Sequence, residues 1–444
     1  MIGMKKEQSR RKRRGFVLPL TVAMVVLLTV MGLSLQRLGS GARMQAVWAT
    51  TQITATAAAD AGFTKAIYEM NKNLNVKPWN FGNVTDAVDV ALTNANADYT
   101  YTIEEIVEDS EYRITSIGQS GWAAKTVSAA VKVQGGFDYP IYAQGYSLPK
   151  QPKPPKQNPP APKPLKKGGK IELKGYNLDS YSSDPSQAYS GPIQIRTNNN
   201  HKKSVKLRED VVINGDVVVG PSGDPNKVIE MKDRASITGD AYAAIERKEL
   251  LSVTVPSELE SLPAIEYEWH GGSGGNVAIT GNVKYSSFII PKPHTQDIVG
   301  DCMIYVTGDM KVEDMANLTL TAGSSLKLYV NGRLEVKKKS KGLINENQDP
   351  TKLLIYGMDD CRKVKIENEG AGDFYGAVYA PFAKVEMKTD GDLYGAFVGW
   401  DVKLKKKKGS EHGTFYFDRS LRIDHLLATD DLAMRFVVKG WREE

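Results

Sequence analysis

The sequence predicts a mainly β protein that begins with one long α-helix. Three observations support this class: an uncharged apolar run at 16–35 that continues into helical periodicity, three alternating segments between 99 and 133, and a Gly-Asp turn that recurs after 170. The expected architecture is a helix laid on a small antiparallel meander, followed by a right-handed parallel β-solenoid. A β-sandwich is the alternative, because the early Gly-Asp repeats are unevenly spaced.

The helix is expected to start in a membrane. Seven cations and one anion lie in the first fifteen residues, and the run from Phe16 to Leu35 has no charged side chain until Arg37. Twenty residues at about 1.5 Å rise span about 30 Å, the hydrocarbon thickness of a bilayer, where only a helix satisfies its own backbone groups. We therefore expect a basic leader at 1–15 and a transmembrane helix at 16–36. The basic flank predicts a cytoplasmic N-terminus and places the rest outside.

The junction Arg13-Arg14-Gly15-Phe16-Val17-Leu18-Pro19-Leu20 resembles the class III leader junction of type IV pilins and type II secretion pseudopilins. The resemblance implies that a prepilin peptidase cuts between Gly15 and Phe16 and methylates the new N-terminus at Phe16. It also implies that the helix packs with other pilin or pseudopilin subunits. The chain departs from the family at the fifth mature position, where most pilins have a glutamate and this chain has Leu20. Minor and tip-type subunits commonly lack that glutamate.

A second element lies further along the helix. Ala58-Ala59-Asp60-Ala61-Gly62-Phe63 resembles the "AAEAG" element that PilX-type minor pilins carry about forty residues after the cut, with aspartate in place of glutamate. Small residues let neighbouring helices approach closely. The alternative is an alanine-rich helix that packs on its own domain.

An ordinary cleaved signal peptide or a plain signal anchor would also account for the apolar run near the N-terminus.

The next regions have the patterns of scaffold and spacer. We expect the pilin-like helix to extend over 37–75 and a small antiparallel β domain to occupy 76–137, because its segments alternate with period two. A linker is predicted at 138–170, since residues 149–169 hold eight prolines and six lysines. That composition favours an extended chain over a packed core.

The remaining chain carries the repeat. Ile213-Asn-Gly-Asp-Val217 returns as Ile237-Thr-Gly-Asp-Ala241 and Val306-Thr-Gly-Asp-Met310, and the motif at 372–381 returns nineteen residues later at 391–399. Strands with Gly-Asp turns at such a period predict a β-solenoid at 171–424. The motif also resembles an uncharacterised ectodomain often found behind pilin-like N-termini, which implies no activity. The tail at 425–444 is amphipathic and is expected to cap the exposed solenoid edge.

The charge balance argues against nucleic-acid binding. The net charge of +6 equals that of the leader alone, seven positive minus one negative, so the rest of the chain is neutral and lacks the basic footprint of a nucleic-acid binder.

The two cysteines, Cys302 and Cys361, form either one disulfide of an exported domain or two separate buried thiols.

Nothing in the sequence predicts catalytic, cofactor-binding or metal-binding residues. The five histidines are scattered, and no zinc, nucleotide or hydrolase motif is present. The repeated aspartates could form a calcium or catalytic row, but their place after glycine favours structural turns. They are Asp216, Asp240, Asp309, Asp373 and Asp392. The lysine-rich run at 403–408 is interpreted as a solvated loop.

These observations lead to one preferred function and two alternatives. The preferred one is a non-enzymatic pilin-like subunit, a minor component of a type IV pilus or type II secretion pseudopilus that is single-pass in the inner membrane. Its partners are the prepilin peptidase, other subunits and the membrane, and its external β domain serves assembly or adhesion. The alternatives are a membrane-anchored β-helix enzyme acting on polysaccharide and an anchored envelope scaffold.

Overall fold

The computed structural model confirms the predicted class. It has one long helix, a small antiparallel sheet and large parallel sheets. The structure describes residues 17–74, 81–107, 111–145, 168–182, 192–267, 277–337, 342–368, 370, 372–407, 412–421 and 435–443. The predicted leader, with Gly15 and Phe16, and most of the predicted linker lie outside these residues.

Helix α1 (Val17–Leu74) has two different halves. Its first half consists of exposed residues as far as position 50, wherever the structure describes the side chain. In its second half, apolar residues return every three or four positions and are buried on one face. These are Ala55, Ala58, Ala59, Phe63, Ala66, Met70 and Leu74.

The buried face of α1 lies on a five-stranded antiparallel sheet. Its strands, in spatial order, are β1 (Ala87–Ala91), β2 (Asp98–Val107), β3 (Glu111–Ser120), β4 (Ala123–Gln134) and β30 (Arg435–Glu443). Alternate residues of the central strands point at the helix and are buried, as the period of two predicts. They include Tyr112, Ile114, Val127, Ala129, Val131 and Val133.

The C-terminal strand does not lie where the sequence predicts it. The amphipathic tail is expected to cap the solenoid, yet β30 pairs with β4 in the small sheet. Phe436 is buried there with its ring edge-on to Tyr112 at 5.4 Å, and its backbone N–H donates to Asn71 Oδ1 at 2.8 Å. A buried aromatic residue and a satisfied N–H explain why the tail returns to the first domain.

The larger part of the protein is a stack of parallel strands arranged in lines, which we call the stack. In the first line each strand pairs in parallel with the next. Its order is β16 (Val283–Tyr285), β19 (Asp301–Val306), β22 (Ser325–Val330), β25 (Leu353–Gly357), β27 (Phe374–Thr389), β28 (Leu393–Lys406), β5 (Ile141–Ala143), β8 (Ile193–Thr197), β11 (Gly215–Val219) and β14 (Ala241–Ala243).

The second line runs beside the first and includes the later residues of β27 and β28. It is β17 (Phe288–Ile290), β20 (Met310–Val312), β23 (Leu334–Val336), β26 (Lys363–Asn368), β27, β28, β6 (Ile171–Lys174), β9 (Val205–Arg208) and β12 (Ile229–Met231).

Two shorter series complete the coils. One is β15 (Ile279–Thr280), β18 (Thr295–Val299), β21 (Asn317–Leu320) and β24 (Gly342–Asn345). The other follows the first residues of β28 and is β29 (Gly413–Asp418), β7 (Tyr176–Tyr181), β10 (Val212–Ile213) and β13 (Ser236–Ile237). The parallel stacking is compatible with the predicted β-solenoid and differs from the antiparallel pairing expected of a β-sandwich.

The chain does not wind through the stack from one end to the other. It enters in the middle at β5, inside the region predicted as linker, and winds outward to β14. An extended segment at 244–256, which we call the strap, then leads to α3 (Ser257–Glu260) at the opposite end. From there the chain winds back to β29, which pairs with β7. The stack therefore consists of two halves joined in parallel register.

Candidate functional site

The first half of α1 is the part of the molecule with the clearest functional geometry. It is long and apolar enough to cross a membrane, with a mean hydropathy of 1.7 in its most apolar stretch. No acidic residue lies in the first turn of the helix, and Leu20 is 63% exposed. The predicted cleavage residues, Gly15 and Phe16, lie just before the described part. What the structure adds is that, before Trp48, this half packs on nothing in the described chain.

The alanine-rich element of α1 packs on its own domain. An added Cβ at Gly118 of β3 would lie 2.1 Å from Ala55 O and 2.3 Å from Ala59 N, so helix and strand are in backbone contact. At Gly62 an added Cβ would lie 2.4 Å from Ser116 Oγ. The small residues thus permit close packing within the subunit, as expected of an alanine-rich helix that packs on its own domain.

Two tryptophans mark the point where the helix leaves the small sheet. Trp48 of α1 stacks with Trp122 in the β3–β4 turn, with ring centroids 6.3 Å apart and both side chains more than half exposed. Beyond this pair, toward the N-terminus, the helix projects alone. The pair therefore divides the packed half of α1 from the projecting half.

The Gly-Asp corners are hydrogen-bonded ladders. At six corners the carboxylate oxygen of an Asp, or the amide oxygen of an Asn, accepts the backbone N–H of the residue aligned with it one coil further on. Asp216 accepts from Asp240, and Asp309 accepts from Arg333 at 2.7 Å. In the same way Asn282 accepts from Met303, Asp373 from Asp392, Asp392 from Thr414, and Asn177 from Val212.

These ladders give the repeated aspartates a structural use. The oxygens are committed to main-chain donors at corners where the strands of one coil end, so the backbone groups are satisfied. In the described part of the chain, no group of three or more His, Cys, Asp or Glu side chains is arranged to hold a metal ion. The sequence predicts the turns but not the bond between coils. The signal that could have revealed it is the position of Asp or Asn at the same place in most of the repeats.

The second line of strands carries a ladder of alternating charge. Lysines and glutamates alternate at one aligned position through eight successive strands. The order is Lys311, Glu335, Lys365, Glu386, Lys403, Glu172, Lys206 and Glu230. Opposite charges on neighbouring strands stabilise the pairing. Hydrogen bonds from Lys311 and Lys337 lower the pKa of Glu313 on the same face.

Most of the lysine-rich run belongs to a strand and not to a loop. Residues 403–406 belong to β28, and Lys403 and Lys405 each lie 3.2 Å from Glu172. Lys406 is largely buried and donates to Gly391 O at 2.9 Å. The prediction of a solvated loop was wrong for residues 403–406, because Lys403 and Lys405 alternate with the buried Leu404 and so form one charged face of a strand.

The two cysteines are free thiols on different coils. Cys302 lies in β19 and accepts the N–H of Gly281 at 3.1 Å, while Cys361 follows β25. Both side chains are buried, and burial raises the pKa of Cys361 to about 12. Of the two expectations from the sequence, separate buried thiols are observed instead of a disulfide.

The strap is held to the stack by side chains. Asn198 Oδ1 accepts from Lys248 N at 3.1 Å, and Gln144 Oε1 accepts from Leu250 N at 3.1 Å. Tyr379 Oη donates to Leu251 O at 2.8 Å. Beside the strap is a cleft of about 690 Å³ between the small sheet and the stack. Its wall includes Arg196, whose guanidinium donates to Tyr139 Oη and to Glu246 O.

Comparisons with known proteins reach part of this chain. Residues 294–424 match the model of a family described as a domain of unknown function, DUF7305. No curated protein matches the chain. Among solved structures, the chain is similar to the competence-associated pilin ComZ from Thermus thermophilus, with 12% identity and a TM-score of 0.26, over 89% of this chain and 98% of that one. A likeness this weak does not establish a shared function. The function of this chain is therefore proposed from its own residues and their geometry.

Proposed function

We propose that this protein is a non-enzymatic, pilin-like structural subunit, a minor component of a type IV pilus or type II secretion pseudopilus. The observation that carries the proposal is the division of α1 into an apolar half that projects freely and a half that packs on an antiparallel sheet. Thirteen large apolar side chains between Leu18 and Leu38 are exposed. Each stabilises the molecule by about 1.5–3 kcal/mol when buried, so lipid or the helices of other subunits must cover them.

The proposal assigns a sequence of environments to the helix. The basic leader holds the N-terminus in the cytoplasm while the apolar half lies in the inner membrane. A prepilin peptidase then cuts between Gly15 and Phe16 and methylates Phe16. Removal of the charged leader lets the helix leave the bilayer and pack with other subunits. Leu20, in place of the glutamate of most pilins, favours a minor over a major subunit.

The stack is then displayed outside the membrane for assembly or adhesion. Its coils are hydrogen-bonded to one another through their strands and their corners, so it forms one continuous outer domain. The described residues present it at the end of the small sheet away from Trp122, since β4 begins beside that residue and leads toward β5. Helix and display surface thus lie at opposite ends of the small sheet.

The test is the N-terminus of protein purified from native membranes. Mass spectrometry should find a chain that begins at Phe16 with one added methyl group. Gly15→Leu should block processing and keep Met1, while Gly3→Leu, a matched change within the leader, should be processed normally. An unprocessed wild-type chain would indicate an anchored scaffold, and cleavage at another position would indicate an ordinary signal peptide. Either result overturns the proposal.

A further inference from the structure

One end of the stack is covered by other residues of the chain, and the other end has open strand edges. At the end formed by β16 and β17, the chain supplies its own cover: Ile265 pairs with Tyr285, Leu259 of α3 is buried, and the ring of Tyr267 lies edge-on to Phe288 at 4.4 Å. At the other end, β12, β13 and β14 each pair on one side, and no described strand pairs with their outer edges. An open parallel edge is a template for another strand.

The backbone of β14 shows which groups are available. Val217 N–H donates to Asp240 O, and Ala244 N–H donates to Val219 O. Because the hydrogen-bonding direction alternates along a strand, residues 240, 242 and 244 face β11, and Ala241 and Ala243 direct their N–H and C=O groups outward. The N–H and C=O groups of Ala241 and Ala243, four in all, therefore have no partner within the described chain.

The corner ladder ends at the same place. Asp216 accepts the N–H of Asp240, but Asp240 has no donor on its open side in the described residues, although its counterparts elsewhere do. Nearby, Ile245 is fully exposed and Tyr242 is 42% exposed. An acceptor without a donor, an open edge and exposed apolar side chains coincide at one end of the stack.

We propose that this end is a dimer interface that pairs β14 with β14 of a second copy of the chain, in antiparallel orientation about a two-fold axis at Tyr242. The register follows from the outward groups: pairing Ala241 with Ala243 of the second copy uses all four on each strand, whereas pairing either alanine with itself uses only two. Charge also permits self-association, since residues 232–247 of the last coil carry three cations and three anions. They are Lys232, Arg234, Arg247, Asp233, Asp240 and Glu246.

A two-fold axis makes the interface isologous and closed, so it yields dimers and not fibres. At the covered end the edge of β16 is already paired at Tyr285 by Ile265, so it cannot accept β14 in the same way. Head-to-tail pairing of β14 with β16 is thereby blocked, and the proposal takes head-to-head pairing at β14. The proposed dimer does not depend on whether the N-terminal helix enters a filament.

Symmetric cross-linking tests the register directly. In the proposed pairing the two copies of residue 242 form a non-hydrogen-bonded pair, with Cα atoms about 4.5 Å apart and side chains on one face. Tyr242→Cys in the full chain, oxidised with copper phenanthroline in native membranes, should give a disulfide-linked dimer. Ile245→Cys is the matched control: it is more exposed, but its two copies lie about 20 Å apart in this register. Cys302 and Cys361 are buried and leave the wild type monomeric on a non-reducing gel.

A second variant tests the main-chain bonds. Ala243→Pro removes an outward N–H and none of the bonds to β11, and proline is accepted on edge strands at such positions. The purified variant should keep the wild-type circular dichroism and melting temperature but run as a monomer in light scattering, where the wild type runs as a dimer. A monomeric wild type, or equal cross-linking at positions 242 and 245, overturns the proposal, and cross-linking at neither position does so as well.

Discussion

Asp309 and Arg333 lie on neighbouring coils of the stack, and the carboxylate of Asp309 accepts the backbone N–H of Arg333 at 2.7 Å. The bond joins residues that are aligned in the parallel register, since Met310 pairs with Leu334. Through this bond the side chain at the corner of one coil satisfies a backbone N–H of the next coil. The same relationship repeats along the stack, so the corners contribute to its stability as the strands do.

Removal of one corner acceptor should destabilise the stack measurably. Asp309→Ala leaves the N–H of Arg333 without its acceptor, and a lost hydrogen bond of this kind costs about 0.5–1.5 kcal/mol. Asp309→Asn should retain most of the stability, because an amide oxygen accepts the same bond at Asn282. The midpoint of chemical denaturation measures the difference. Asp359→Ala, at an exposed position outside the ladders, is the control, and an equal loss there would contradict the role assigned to Asp309.

A methyl group at Gly118 should separate α1 from the small sheet. Gly118→Ala places a Cβ 2.1 Å from Ala55 O, which neither backbone can accommodate without a shift. Overpacking of this kind costs about 1–3 kcal/mol. The thermal midpoint and the rate of proteolysis of α1 should both report it. Gly39→Ala is the matched change on the projecting helix, where nothing lies within 4 Å, and it should lower neither the thermal midpoint nor the resistance of α1 to proteolysis.

Loss of the Phe436 ring should loosen the small sheet and leave the stack intact. The ring is buried against Tyr112, and Phe→Ala changes in a core cost about 3–5 kcal/mol. Hydrogen exchange of Phe436→Ala should therefore rise in β3 and β4 and stay low in β19 and β22. Tyr68→Ala, a change of similar size at an exposed position of α1, provides the comparison. Uniform exchange across both regions would show that the two parts unfold together.

Alkaline pH should destabilise the stack through Cys361. Burial raises the pKa of this thiol from 9.0 to about 12 in the folded chain. Between these values the unfolded chain releases a proton that the folded chain keeps, so the free energy of unfolding falls as pH rises above about 9. Cys361→Ser should weaken that dependence, which denaturation midpoints between pH 8 and 10.5 will measure. An unchanged slope would assign the effect to other groups.

Much of the architecture follows from local patterns in the sequence. The spacing of Ala58, Phe63, Ala66 and Met70 fixes one face of a helix, and the Gly-Asp corners mark where each strand ends. Both signals lie within a few residues of each other. They predict the mainly β class, the long helix and the structural use of the aspartates.

The parts that the sequence does not predict depend on non-local pairing. Nothing in β29 indicates that it will lie beside β7, because its pattern suits the end of any coil equally well. β5 lies in the region predicted as linker, since three residues before a proline-rich stretch form no detectable period. β30 has the pattern of an amphipathic tail, and only the burial of Phe436 in the small sheet reveals its partner.

The entry of the chain at the middle of the stack has a mechanical consequence. The two covalent connections to the small sheet, from β4 to β5 and from β29 to β30, both join the stack at the one coil that pairs with β28. A load applied to the outer domain is thus divided between two tethers in parallel. Neither tether joins the stack at a terminal coil, so tension on them does not separate the coils one after another from an end of the stack.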